Sequence, residues 1–235
     1  MAFLLSRVNS ILPTTTPRSL CSPNFRQRRN FLPAPPFISA PPIQRLSASR
    51  TLPYPSLPIY TIIADVPSYS SFLPYCLASA VTHWSDKDME LHRRWPEEAE
   101  LEIGWGSVRE IFTSRIYCVP GRIIEAVAGD ASTSVEAQEA KHHTHVTSNN
   151  ASKGNAGGDI LTHLLTRWEV SPIITELGHE STKVALDIEF QFANPLYAAM
   201  SQVAAGAVAE KMIQAFETRI RDEILAQRNK DEAGS

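Results

Sequence analysis

The chain predicts an α+β helix-grip fold, a curved antiparallel sheet of six to seven strands wrapped around a long C-terminal helix. Three observations carry this. From Thr182 to Phe192 apolar residues alternate with polar ones: Val184, Leu186, Ile188, Phe190 and Phe192 on one face, Lys183, Asp187, Glu189 and Gln191 on the other, the pattern of a half-buried strand. Asn194-Pro195 then ends the strand and opens a helix, because proline suits the first helical turn. From there apolar residues recur by threes and fours to about Gln227, so a dry helix stripe folds over a dry sheet face.

Before this domain the chain has a different texture. Residues 1–64 hold seven arginines, no lysine and no acid, with eleven of the 17 prolines lying at or before Pro58. An arginine- and serine-bearing, acid-free segment has the composition of a mitochondrial presequence. Residues 1–50 are accordingly expected to be a disordered presequence, removed near Arg45 to Arg50, and 51–230 the folded domain. The remainder carries 15 basic and 25 acidic residues, a net of −10. That balance argues against nucleic acid as a partner, since phosphate binding needs a basic face. Three cysteines make no disulfide framework; Cys76 and Cys118 are expected to pack as small hydrophobes.

From Ile59 the elements follow in order. Ile59 to Val66 reads as a strand, with Tyr60, Ile62 and Ala64 sharing a face. Pro67 opens a short helix to Leu73, which places Tyr69 and Phe72 together at i,i+3, and Pro74 stops it. Leu77–Trp84 and Leu101–Ser107 read as strands, the latter turning Leu101, Ile103 and Trp105 one way. Arg109–Val119, which contains Phe112, and Arg122–Ala128 form a hairpin across Pro120-Gly121. His163–Val170 sets Leu164, Trp168 and Val170 on one side. Residues 132–158 are mostly small and polar, and such a stretch cannot offset its ordering entropy by burial. A mobile insertion is expected there. Its Lys141-His142-His143-Thr144-His145 run matches no zinc spacing and reads as solvated loop.

The closing helix, Pro195 to Gln227, carries the stripe Leu196, Met200, Val203, Ala204, Ala207, Val208, Met212, Phe216, Ile220 and Ile224. Its middle, Ala204-Ala205-Gly206-Ala207, places little bulk against the sheet. Glycine there costs about 1 kcal/mol in helix propensity. Either close packing or room left for a ligand accounts for it.

Two stretches resemble the coenzyme Q-binding proteins, members of the START-like (polyketide cyclase/lipid transport) superfamily. One is Tyr60-Thr61-Ile62-Ile63-Ala64-Asp65-Val66 with Tyr69, Phe72 and Leu73-Pro74-Tyr75-Cys76. The other is Phe190-Gln191-Phe192, Asn194-Pro195-Leu196-Tyr197 and Ala215-Phe216-Glu217-Thr218-Arg219. The resemblance covers about Ile59 to Arg228. It implies a non-enzymatic, mitochondrial binder of ubiquinone or a related polyprenyl lipid on the matrix side of the inner membrane, serving respiratory electron transfer or quinone biosynthesis. Respiratory complexes or quinone-biosynthesis enzymes are the implied protein partners, and a homo-oligomer is compatible with the reading. Ubiquinone would be a ligand, with no catalytic cofactor. An enzyme of the cyclase/dehydratase type, or a docking module on a large assembly, are the alternatives on the same fold.

The candidate ligand-binding residues divide by element. Phe72, Pro74, Tyr75 and Cys76 come from the opening motif, and Trp105, Phe112, Trp168, Phe190 and Phe192 from the strands. Leu196, Tyr197, Met200, Val203, Ala204, Ala207, Val208 and Met212 come from the closing helix. Tyr75, Tyr197 and Cys76 are the candidates to meet a quinone ring, because an apolar pocket draws its specificity from a few polar groups. The sequence shows no nucleophile elbow, HExxH, phosphate loop or CxxC pair.

Overall fold

A computed structural model of the chain describes residues 41–105, 108–144, 160–174, 180–195 and 205–233. Seven strands form one antiparallel sheet: β1 (Gln44–Leu52), β2 (Cys76–Trp84), β3 (Pro96–Trp105), β4 (Val108–Val119), β5 (Ile123–Gly129), β6 (Leu161–Ile174) and β7 (Glu180–Phe192), in spatial order β1-β7-β6-β5-β4-β3-β2. Between β1 and β2 lie helix α1 (Ser56–Ala64) and a 3-10 segment, Val66–Ser71. Helix α2 (Ala205–Ala233) closes the domain. Its 29 residues make it about 44 Å long.

The predicted strand at Ile59–Val66 is instead α1 and the start of the 3-10 segment. Short apolar runs do not separate strand from helix by period. Here Pro55 precedes the first turn and Pro58 sits inside it, where a missing N–H costs nothing. The buried residues Ile59, Tyr60, Ile63 and Ala64 then form one helical stripe.

The missing sheet edge comes from a segment assigned to the presequence. Gln44 to Leu52 alternates Leu46, Ala48 and Leu52 inward with Arg45, Ser47 and Ser49 outward, and pairs with β7 from Gln44↔Phe190 to Leu52↔Thr182. Arg50 bonds Glu210 of α2 and lies 3.5 Å from Glu217. Cleavage at Arg45 to Arg50 would cut this strand, so the folded domain begins before Gln44.

Pro120-Gly121 turns β4 into β5 as expected. Gly121 takes φ +74°, and Arg122 N–H closes the turn on Val119 O at 3.0 Å, the pattern of a type II turn. The first half of the supposed insertion is a packed cover. Ala131, Val135 and Ala140 bury against Tyr117, Val119, Ile123 and Val127 on the sheet's outer face. Polar bonds complete the anchorage. Glu125, fully buried, accepts from the Thr133 hydroxyl (2.5 Å), Ser134 N–H (2.8 Å) and the Ser134 hydroxyl (2.7 Å), and pairs with Arg167 at 2.8 Å. One of the expected solvated histidines is inside: His143 is fully buried and its Nε2 accepts from Cys118 N–H at 2.9 Å, while His142 is half-buried. His145 and the rest of the insertion, to 158, lie outside the described residues.

The main core fills the inner face of the sheet beneath α1 and α2. On α2 the buried line is Ala209, Ile213, Phe216 and Ile220. Phe216 and Ile220 of the predicted stripe are buried, with Met212 and Ile224 partly buried against the core; one turn earlier the buried position is Ala209 rather than Ala207 or Val208.

Candidate functional site

The register sets the inner face out in cross-strand rows. Cys118, Ile124, Trp168, Leu186 and Ala48 form one row, and Ile116, Ala126, Thr166, Ile188 and Leu46 the next. Ala128, Leu164, Phe190 and Gln44 form a third. Further along lie Leu161 beside Phe192 on β6–β7, Leu101 beside Phe112 on β3–β4, and Cys76 beside Ile103 on β2–β3.

Aromatic packing fills the row that contains Trp168. Phe216 of α2 meets Trp168, Phe72 and Tyr69 edge-on, with ring centroids 4.5, 5.0 and 5.3 Å away. Such contacts add about 0.5–1.5 kcal/mol each beyond burial. Tyr69 donates to Ile63 O, and Tyr60 donates to Ile123 O while its ring lies 5.1 Å from Trp95. Burial raises both phenols, so neither ionises in the physiological range. The aromatic cluster is core, and it claims two candidates, Phe72 and Trp168.

The opposite end of the inner face is apolar but more exposed. Leu101, Ile103, Leu161, Leu164, Phe192 and Met212 are only partly buried there, beside buried Phe112 and Phe190. The rings of Phe190 and Phe192 meet edge-on at 5.4 Å. Cys76 sits at this end on the edge strand; burial pushes its thiol up and a bond with Ser79 offsets part of the rise. Tyr75 precedes it in the left-handed region, φ +68°, unusual for a bulky residue and typical of functional turns. Gly104 N–H donates to Tyr75 O at 2.9 Å, and Lys211 of α2 donates to its hydroxyl at 3.2 Å. Lys211 also lies 5.8 Å from the Tyr75 ring centroid.

The register therefore sets Cys76, Phe112, Phe190 and Phe192 toward one end of the inner face; Met212 is partly buried on α2, next to the Lys211 that meets Tyr75, and Pro74 is partly exposed in the turn leading in. Ala207 is exposed and Val208 half-buried, so the helix does not turn Ala207 toward the sheet. Leu196, Tyr197, Met200, Val203 and Ala204 lie outside the described residues, as does the side chain of Trp105. Sequence reasoning missed Lys211, which reaches Tyr75 across 136 positions. It also missed Glu110, which shares the inner face with Ile103 and accepts from Ile160 N–H at 3.1 Å. No local signal marks either.

A curved antiparallel sheet gripping a C-terminal helix, with an apolar inner face, defines a START-like domain. The chain belongs to the polyketide cyclase/dehydrase and lipid transport family, whose model matches residues 52–217. It is 28% identical over 72% of its length to a mitochondrial coenzyme Q-binding protein of Schizosaccharomyces pombe, covering 82% of that protein. It is also 28% identical to the ribosome association toxin RatA of Pseudomonas aeruginosa, over 73% of this chain and 91% of the relative. Among solved structures, a START superfamily protein from Mycobacterium smegmatis superposes with a TM-score of 0.52 at 16% identity, over 76% of this chain and 97% of the other.

Proposed function

We propose that the protein binds ubiquinone or a related polyprenyl lipid between the inner sheet face and α2, and delivers or positions it without chemical change. The observation that carries this is the apolar end of the inner face, where Leu101, Leu161, Leu164, Phe192 and Met212 stay partly exposed beside Phe112 and Phe190. Its rim holds the polar pair Tyr75 and Lys211, suited to a quinone carbonyl. The likeness to the fission-yeast coenzyme Q-binding protein supports the choice of ligand.

Energetics favour a carrier. Each methylene removed from water is worth about 0.8 kcal/mol, but a polyprenyl tail starts in a bilayer that is already apolar. Transfer from membrane to protein is then near balance, and exchange is reversible. The arginine-bearing, acid-free segment ahead of β1 fits a mitochondrial presequence. It supports action at the matrix face of the inner membrane, in respiratory electron transfer or quinone biosynthesis.

The test is quinone retention by two variants of the full chain, made in bacteria that synthesise ubiquinone. Phe192→Asp places a charge on the apolar end, and Leu164→Trp fills it. Both are expected to fold, by near-ultraviolet circular dichroism, and to lose the quinone that the wild type carries. Retention by both folded variants overturns the assignment.

A further inference from the structure

A second site lies away from the apolar end, on the side where α1, the β2–β3 connection and α2 meet. Here a cleft of about 320 Å³ is lined by Thr61, Ile62, Ala64 and Asp65 of α1 and its end, by Trp84 and the Arg93–Pro96 stretch at the two ends of the connection, and by Arg219 and Glu223 of α2. Three arginines, Arg93, Arg94 and Arg219, converge on it. In a chain whose residues from Asp65 onward carry a net −10, this is a local reversal of sign.

The arginines are held ready to different degrees. Arg219 pairs with Glu223 at 2.8 Å and lies 5.7 Å from the Phe72 ring centroid. Glu223 is thereby engaged, which leaves Asp65 as the other acid of the lining. Arg93 stacks over Trp95 at 5.1 Å and donates to the Thr61 hydroxyl at 3.3 Å. Arg94 makes no hydrogen bond or ion pair with any described residue. The connection that presents Arg93 and Arg94 is rigid for a definite reason. Asp88, nearly buried, accepts from Glu90 N–H, Leu91 N–H, Arg93 N–H and the Trp95 indole N–H, so its charge is consumed inside the loop. Burial alone would push that carboxyl up; these bonds outweigh burial and hold it low.

Exposed apolar groups lie on the cleft wall and on two of the elements that line it. Trp84 stands at its wall, 46% exposed, Met89 at the tip of the same connection is 90% exposed, and Leu57, 42% exposed, lies one turn of α1 before Thr61. An amphipathic tryptophan with exposed aliphatic side chains and arginine is the composition of a membrane-interface contact. The rest of the domain, being acidic, is repelled by an anionic bilayer, so docking requires a local patch of opposite sign.

We propose that this cleft receives the phosphodiester headgroup of an anionic phospholipid in a bilayer, with Arg94 and Arg93 on the phosphate and Trp84, Met89 and Leu57 seated at the interface. The proposal is independent of what the apolar end of the inner face holds. It fixes the orientation in which the domain meets a membrane.

A reporter inside the patch separates this contact from any binding by the arginine-rich segment ahead of β1. The full chain carries Cys21→Ser and Met89→Cys, labelled at position 89 with an environment-sensitive fluorophore; Cys76 and Cys118 are buried. A second chain carries the label at Glu136→Cys, on the exposed part of the outer cover. Vesicles of phosphatidylcholine and phosphatidylglycerol in equal parts are titrated in, with pure phosphatidylcholine as reference. The expected result is a blue-shifted, brighter signal at position 89 with the anionic vesicles only, and none at 136. Arg94→Gln should weaken that response about fivefold, the worth of one arginine at an anionic surface. Arg122→Gln, which removes the same charge elsewhere, should leave it unchanged. No response at 89, or equal loss in the two charge variants, overturns the site. A change in the position-89 signal with inorganic phosphate at matched ionic strength, and none with vesicles, assigns the cleft to a soluble phosphate and overturns the bilayer headgroup.

Discussion

Replacing Glu125 by glutamine is expected to cost about 3 kcal/mol of stability, though the site lies on the outer face of the sheet. Its two oxygens each accept two hydrogen bonds: Oε1 from the Thr133 hydroxyl and Ser134 N–H, Oε2 from the Ser134 hydroxyl and Arg167. Glutamine is the same size but turns one acceptor into an NH2, which then faces two donors. Hydrogen bonds to a charged group are worth roughly 1.5–3 kcal/mol each, and breaking a buried ion pair costs about 3–5 kcal/mol. The Arg167 side chain is 26% exposed, so water offsets part of its loss and the lower figure applies. At about 2–4 °C per kcal/mol for a domain of this size, the midpoint should fall by roughly 6–12 °C. The sign with pH is set by the carboxyl. Burial opposes its ionisation, but the bonds from Thr133, Ser134 and Arg167 prevail and hold it below the usual glutamate value. Its contribution is therefore full above the unfolded-state value of about 4.3 and is lost as pH falls through the lower folded one. Urea unfolding at neutral pH and at stepped acid pH reads both quantities. A variant within about 0.5 kcal/mol of wild type at pH 7 would refute the reasoning, because surface substitutions away from special features fall in that range. So would a gap that widens as the pH drops.

Two further outcomes follow from the inner face. Phe216→Ala removes the ring shared by Trp168, Phe72 and Tyr69, and should cost about 3–5 kcal/mol in urea unfolding; a loss below about 1 kcal/mol would mean that the cluster is loosely packed. Burial pushes the fully buried Cys118 thiol up to about 12. In a Cys21→Ser chain at pH 8, maleimide labelling of Cys118 should therefore track unfolding and accelerate with urea, whereas fast labelling indifferent to urea would contradict its placement.

The parts of the fold legible in sequence were those whose period matches their burial. The β7 alternation from Thr182 to Phe192 survives as written, because both faces have a distinct solvent. Pro120-Gly121 marked its turn through glycine's access to positive φ. Three features were hidden for separate reasons. In β1 a strand alternation is embedded in an acid-free, arginine-bearing segment whose composition points elsewhere. In α1 a run of β-branched residues imitates a strand, and only Pro55 and Pro58 tip it to helix. The cover from Ala131 to Thr144 lacks bulk, since small side chains and a buried glutamate anchor it rather than large apolar groups. The site was legible in the same measure. Phe112, Phe190 and Phe192 lie toward one end of the inner face, while Phe72 and Trp168 belong to the aromatic core. The Tyr75–Lys211 contact joins elements that only tertiary structure brings together.

The most direct measurement is mass spectrometry of an organic extract from the full chain, purified without detergent from ubiquinone-making bacteria, with folded Phe192→Asp alongside. Near-stoichiometric ubiquinone in the wild type and little in the variant is the expected result. A monodisperse, folded wild type that carries no polyprenyl lipid would contradict it.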